Sequence, residues 1–174
     1  RFSVMQLLLL VTSGCGVPLA HYGDGPLAVT SQDTSESSGS VDSGVYRFDE
    51  KNSITIVLFE GSAHQPAQAA IIRMFWRPQA ASTPLDATAT NATVQYIIFA
   101  DGSLEPSPGG GEVGLYSGAG FVYPSTRPGR ARLVAGLWEA TLRVTAASEG
   151  FEDRLGEAQL KGRFTAQRDD DAVS

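Results

Sequence analysis

The acidic residues between positions 149 and 157 are the side chains best suited to catalysis or metal binding. Glu149, Glu152, Asp153 and Glu157 occur in this short stretch. Two carboxylates that face each other across a cleft could hydrolyse a glycosidic bond, and carboxylate oxygens also bind calcium. The spacing here follows no recognised calcium loop. We interpret the segment as a surface loop, with a carboxylate-based hydrolase and a weak calcium site as the alternatives.

Other catalytic side chains are scarce. The chain has two histidines, His21 and His64, and one cysteine, Cys15. No His, Cys or carboxylate spacing fits a zinc or iron site. The glycine-rich stretches at 109–111 and 118–121 lack the lysine of a phosphate-binding loop, so we place them in turns and bulges of β-structure. The sequence therefore predicts a protein that is not an enzyme and that has no catalytic residue, no metal and no cofactor.

Three arginines are concentrated in the segment STRPGRAR, residues 125–132. Arg127, Arg130 and Arg132 surround a Pro-Gly pair, which is typical of a turn. The functional interpretation is a loop that binds an anion or a partner. The alternative is a hairpin turn whose charges balance nearby acids.

The first sixteen residues indicate where in the cell the protein is located. Arg1 is followed by the apolar run Val4–Val11, then by Thr12, Ser13 and Gly14, and then by Cys15. An apolar run of this length before small residues is typical of a secretory signal, and it is too short to span a membrane. The segment resembles the lipobox of bacterial lipoproteins, although Thr12 stands where that family prefers Leu.

The lipobox resemblance implies cleavage after residue 14 and acylation of Cys15. Acyl chains would anchor the protein in the outer membrane or on the outer face of the inner membrane, because two or more chains give stable attachment. Gly16 after the cysteine is compatible with outer-membrane sorting in that family. The alternatives are a soluble secreted protein without acylation and a buried cysteine in a first strand or helix.

Charge and composition divide the chain. The lipobox resemblance assigns residues 1–14 to a signal peptide, and residues 15–42 contain four acids and no base, which predicts a disordered acidic tether. Residues 43–168 are electrically balanced and form the folded domain, while 169–174 form an acidic tail. The net charge of −6 and the pI of about 4.8 argue against a nucleic-acid partner.

The folded part reads as all-β. Short runs rich in β-branched and aromatic residues alternate with Gly, Pro, Ser and Asp clusters. Strands are predicted over 44–49, 53–60, 69–77, 92–100, 112–116, 120–123, 131–146 and 158–167, with one weak helix over 63–70 and an alternative strand over 27–30. Seven or eight such strands favour a single antiparallel β-sandwich, of immunoglobulin-like or jelly-roll-like topology.

Alternation assigns faces to the clearest strands. Leu160, Gly162, Phe164 and Ala166 should face the core, as should Trp138 with Ala140 and Leu142. Residues 54–60 and 92–100 are apolar on both faces and are predicted to be central, doubly covered strands. An outward cluster of aromatic residues would suit sugar stacking. Asn91-Ala92-Thr93 matches the glycosylation acceptor pattern, which is usually idle in a bacterial cell.

The segments ATNATVQYIIFA and GRFTA also resemble parts of small envelope lipoproteins of planctomycete-type bacteria, a resemblance that implies no activity. Together these features predict a lipid-anchored cell-envelope protein with a non-catalytic binding or structural module. Its partners would be the membrane, through Cys15, and an envelope protein or polysaccharide.

Overall fold

The computed structural model describes residues 25–32, 37–49, 53–62, 65–75, 90–99 and 111–171. These residues form nine strands: β1 (Ala28–Ser31), β2 (Ser37–Ser40), β3 (Ser43–Phe48), β4 (Ile54–Ser62), β5 (Gln65–Met74), β6 (Ala92–Phe99), β7 (Val113–Pro124), β8 (Arg132–Ala147) and β9 (Ala158–Arg168). The all-β prediction is confirmed. No helix long and apolar enough to cross a membrane occurs among these residues.

Seven of the strands close into a barrel. Strands β3 to β9 pair antiparallel with their neighbours in chain order. The ring is completed by a parallel pairing of β9 with β3, in which Ser43 lies opposite Thr165 and Tyr46 opposite Arg168. Each barrel strand therefore has a neighbour on both sides, which leaves no open edge in the ring.

The predicted β-sandwich is wrong. A sandwich consists of two separate sheets, whereas here one sheet closes on itself because β9 pairs with both β8 and β3. The prediction of doubly covered strands fails for the same reason. In β4, the side chains of Ile54, Ile56 and Leu58 are buried in the interior, while Val57 and Phe59 on the outer face are half-buried.

Two short strands extend the sheet beyond the barrel. β1 pairs antiparallel with the first half of β9, from Ala28 opposite Lys161 to Ser31 opposite Ala158, and β2 pairs with β1. Leu27 and Val29 are fully buried. Within the segment predicted as a tether, residues 15–42, the structure therefore has β1, which overlaps the alternative strand predicted over 27–30, and β2, which was not predicted.

The interior is filled by alternate residues of each strand. Tyr46, Tyr96 and Tyr116 are its largest fully buried side chains. The inward face predicted for β9 is confirmed, since Leu160, Gly162, Phe164 and Ala166 are buried while Lys161, Arg163 and Gln167 are exposed. Such alternation, with one face inside, is what a closed barrel requires of every strand.

Two local predictions are corrected by the backbone. Residues 65–70, predicted as part of a weak helix, belong to β5, and residues 63–64 lie outside the described residues. In β8 the register shifts between Leu137 and Ala140. The bulge places Leu137 in the interior and leaves Trp138, predicted to lie in the core, half-buried.

Candidate functional site

The acidic segment singled out in the sequence closes one end of the barrel. We call residues 148–157, which connect β8 to β9, the mouth loop, and this end of the barrel the mouth. The loop lies over the start of β7 and the end of β6. It forms a pocket of about 550 Å³ together with the barrel wall. The lining residues are Ile98, Glu112, Tyr116, Gly150, Phe151, Glu152, Arg154 and Leu155.

Ser148 and Gly150 shape the first half of the mouth loop. The Ser148 amide donates to the Val113 carbonyl at 2.9 Å, and the Val113 amide donates to Ser148 Oγ at 2.8 Å. The chain then turns at Gly150, whose φ of 89° is in the left-handed region that favours glycine. This turn brings Phe151 back over the barrel.

Phe151 fits a space that a glycine leaves in the barrel wall. A Cβ atom added at Gly114 would lie 2.0 Å from Cζ of Phe151, so only glycine allows the ring to lie there. The ring also makes an edge contact with Tyr116, with centroids 6.4 Å apart. Phe151 thus packs against the hydrophobic core and forms one wall of the pocket.

Asp153 fixes the second half of the mouth loop. One of its oxygens, Oδ1, accepts hydrogen bonds from the Tyr116 hydroxyl at 2.5 Å and from the amides of Leu155 and Gly156 at 3.1 and 2.9 Å. The Leu155 carbonyl in turn accepts from Ser31 Oγ of β1 at 2.8 Å. The loop is therefore fastened to the barrel interior and to β1.

These contacts shift two pKa values. Burial raises the pKa of Tyr116, and the hydrogen bond to the Asp153 carboxylate raises it further. For Asp153, burial raises the pKa, but the hydrogen bonds from Tyr116, Gly156 and Leu155 lower it by more, so its pKa lies below the ordinary value. Asp153 is therefore a charged anchor of the loop at neutral pH.

The other predicted carboxylates separate from one another. Glu157 accepts from Arg143 Nη2 at 2.6 Å and from its Nε at 2.9 Å. Glu152 lines the pocket and lies 3.3 Å from Arg154, with both side chains exposed. Glu149 is exposed and is not among the described residues that line the pocket. Over the described ranges, no three His, Cys, Asp or Glu residues are grouped so that they could hold a metal ion.

Glu112, which is not among the site residues predicted from the sequence, precedes β7 and lies beside the mouth loop. Its carboxylate oxygen Oε1 would be 3.0 Å from a Cβ atom added at Gly150, and its side chain is exposed. Nothing in the local sequence distinguishes Glu112, because its place in the pocket depends on the pairing of β7 with β8.

The predicted arginine turn lies at the opposite end of the barrel. Residues 125–131 connect β7 to β8, and the side chains of Arg127, Arg130 and Arg132 are exposed. The buried Tyr46 hydroxyl donates to the Arg130 carbonyl and accepts from the Gly129 amide at 3.2 Å. None of the three arginines forms an ion pair with an acid that the structure describes.

The structure also bears on the glycosylation acceptor pattern and on the predicted aromatic surface. Asn91 is fully buried and has both side-chain atoms bonded to the Val122 backbone, so it cannot accept a glycan in the folded chain. Tyr96, Tyr116 and Phe121 are buried, which removes them from any sugar-stacking surface, whereas Phe75 is 50% exposed. Cys15, His21, His64 and Trp76 lie outside the described residues.

Comparisons with protein-family models, with curated proteins and with solved structures find no match to this chain.

Proposed function

We propose that this chain is a lipid-anchored protein of the cell envelope. Its β-barrel acts as a non-catalytic binding module that holds a ligand in the mouth pocket. The lipobox pattern that ends at Cys15 supports the anchor. The preformed pocket supports binding, because its volume lies within the range of small-molecule sites and because apolar walls and a few polar groups converge there.

The way in which the mouth loop is fastened is the observation that carries the binding proposal. Ser148, Phe151 and Asp153 connect the loop to three residues of β7, namely Val113, Gly114 and Tyr116. A loop fixed before the ligand arrives loses little conformational entropy on binding. The same contacts support a non-catalytic role, since Asp153 and Glu157 are committed to hydrogen bonds and an ion pair within the protein.

The anchor is tested by the mass of the N-terminal peptide from membrane-fraction protein, beside a Cys15→Ala control. The expected peptide starts at Cys15, carries added acyl mass and is lost in the control. An unmodified Cys15 in protein from a soluble fraction would contradict lipid anchoring and would favour the soluble secreted alternative. The pocket would then be the only remaining support for the proposed binding module.

A further inference from the structure

The mouth pocket, on which the proposed binding function rests, combines an apolar wall with one carboxylate that has no cation beside it. We propose that its ligand is a small organic cation, an ammonium group carried on an apolar body. The apolar body would contact Phe151 and Ile98, and the ammonium group would lie beside Glu112.

The positive charge of the proposed ligand is inferred from Glu112. Its side chain is exposed, it lines the pocket, and its carboxylate lies over the Gly150 turn. It forms no ion pair within the part of the chain that the structure describes. A carboxylate at the rim of an apolar pocket interacts more strongly with a cation than it would in open water, because the walls lower the local dielectric constant.

The apolar wall determines the rest of the ligand. Ile98, Phe151 and Leu155 form it, and the Tyr116 ring closes its base. The face of a Phe ring attracts ammonium groups, most strongly where water is partly excluded. A purely apolar ligand would make no contact with the charge of Glu112, whereas a cation with an apolar body contacts both the apolar wall and the carboxylate.

Arg154 is the one cationic side chain among the described lining residues, and it does not cancel this preference. It pairs with Glu152 at 3.3 Å, and both side chains are about three-quarters exposed. Exposed ion pairs of this kind contribute little to stability. With Glu152 and Arg154 balancing each other, Glu112 leaves the lining with a net negative charge.

The wider surface of the mouth has the same sign. Glu60, at the end of β4, and Glu149, in the mouth loop, add two further exposed or half-buried carboxylates at this end of the barrel. Such a field raises the local concentration of cations and lowers that of anions.

The test uses three probes of similar shape and different charge: 2-phenylethylammonium, 2-phenylethanol and phenylacetate. Each is titrated into the intact chain at low ionic strength, and backbone amide shifts are followed by NMR. We expect the shifts to centre on residues 112–116 and 150–155. The cation should bind about fivefold more tightly than the alcohol, which is what an exposed charge pair contributes, and phenylacetate should bind most weakly.

Substitutions at three exposed positions distinguish an effect of charge on binding from a loss of folding. Glu112→Gln should reduce the advantage of the cation over the alcohol, and Arg154→Gln should increase it. Asp170→Asn, beyond the end of β9 at the opposite end of the barrel, should change the advantage by less than about twofold, since solvent screens charges beyond roughly 10 Å. Opposite effects of the first two variants cannot come from a general loss of structure.

Two outcomes overturn the inference, and they differ in what they imply for the proposed function. If the alcohol binds in the pocket as tightly as the cation, or if Glu112→Gln has no effect, the ligand is not selected by charge, although the binding module stands. If no probe shifts the pocket amides, the mouth pocket is not a binding site and the proposed binding function fails with it.

Discussion

The side chain of Asn91 provides the hydrogen-bond partners for two polar groups of the barrel backbone. It is fully buried at the start of β6. Its Nδ2 donates to the Val122 carbonyl at 2.8 Å, and its Oδ1 accepts from the Val122 amide at 2.7 Å. The side chain thus replaces a strand partner where the register of β7 with β8 shifts between Ala119 and Phe121. Both polar groups of a buried peptide depend on this one amide.

We expect Asn91→Ala to destabilise the barrel by about 3 kcal/mol. It leaves one buried donor and one buried acceptor without partners, and each such group costs about 1–3 kcal/mol. Guanidinium denaturation followed by tryptophan fluorescence measures the change. Thr93→Ala, which removes an exposed side chain of the same tripeptide, should change the free energy of unfolding by less than about 0.5 kcal/mol. Equal effects of the two variants would show that the bridge to Val122 is unimportant.

Asp153 should make the stability of the mouth loop depend on pH. Its pKa in the folded chain lies below its ordinary value, because the hydrogen bonds it accepts outweigh the effect of burial. A depressed carboxyl pKa contributes stability that is fully present above the unfolded pKa, near 3.9. That contribution is lost as the pH falls through the folded pKa.

Asp153→Asn should therefore cost about 1 kcal/mol at pH 7, the contribution of charged hydrogen bonds reduced for an exposed carboxylate. The difference from the parent should shrink below about pH 4, where the parent also becomes neutral. Urea denaturation of the parent and the variant at a series of pH values measures the loss of stability at pH 7 and its decrease below about pH 4. A deficit that stays constant from pH 7 to pH 3 would mean that the charge of Asp153 is irrelevant and that only the shape of the side chain counts.

At the scale of elements, β8 contains the one non-glycine residue with a positive φ among those described. Glu139 has a φ of 34° and lies within the bulge where the register shifts between Leu137 and Ala140. A left-handed conformation costs a residue with a side chain about 1–2 kcal/mol. Glycine has no such cost, although it loses more entropy when the chain folds.

We predict that Glu139→Gly stabilises the protein by about 0.5 kcal/mol, the difference between those two effects. Thr141→Gly, two residues further along the same strand, is the matched control. It should destabilise by about 1 kcal/mol, because Thr141 needs no left-handed backbone. Thermal unfolding of the two variants should shift in opposite directions. A loss of stability in both would mean that the bulge does not depend on relief of strain at residue 139.

The same strand shows what alternation could and could not reveal in the sequence. In β9 the alternation is unbroken, and it correctly placed Leu160 and Phe164 inside. In β8 the bulge inserts a residue, so a pattern that reads correctly at Ala140 and Leu142 is out of phase at Trp138. The bulge is a property of the pairing of β8 with β9, and alternation within one strand does not reveal it.

At the scale of the whole molecule, closure of the sheet could not be read from the sequence. Alternation identifies which side chains are buried, but a sandwich and a small barrel bury the same alternate residues. The difference lies in the parallel pairing of β3 with β9, between residues that are far apart in the chain. The pocket was hidden for the same reason, because Ile98, Glu112 and Phe151 come from three separate segments.

The pairing of β3 with β9 also decides when the barrel can form. β9 is the last of the nine described strands, and it is the neighbour of β1, β3 and β8 at once. Until β9 is in place, the other barrel strands can form only an open sheet with β3 and β8 as unpaired edges, and β1 has no partner in the barrel. Pairings between such distant segments form slowly. A chain in which β9 has not yet docked exposes these edges, and they can then pair with another chain.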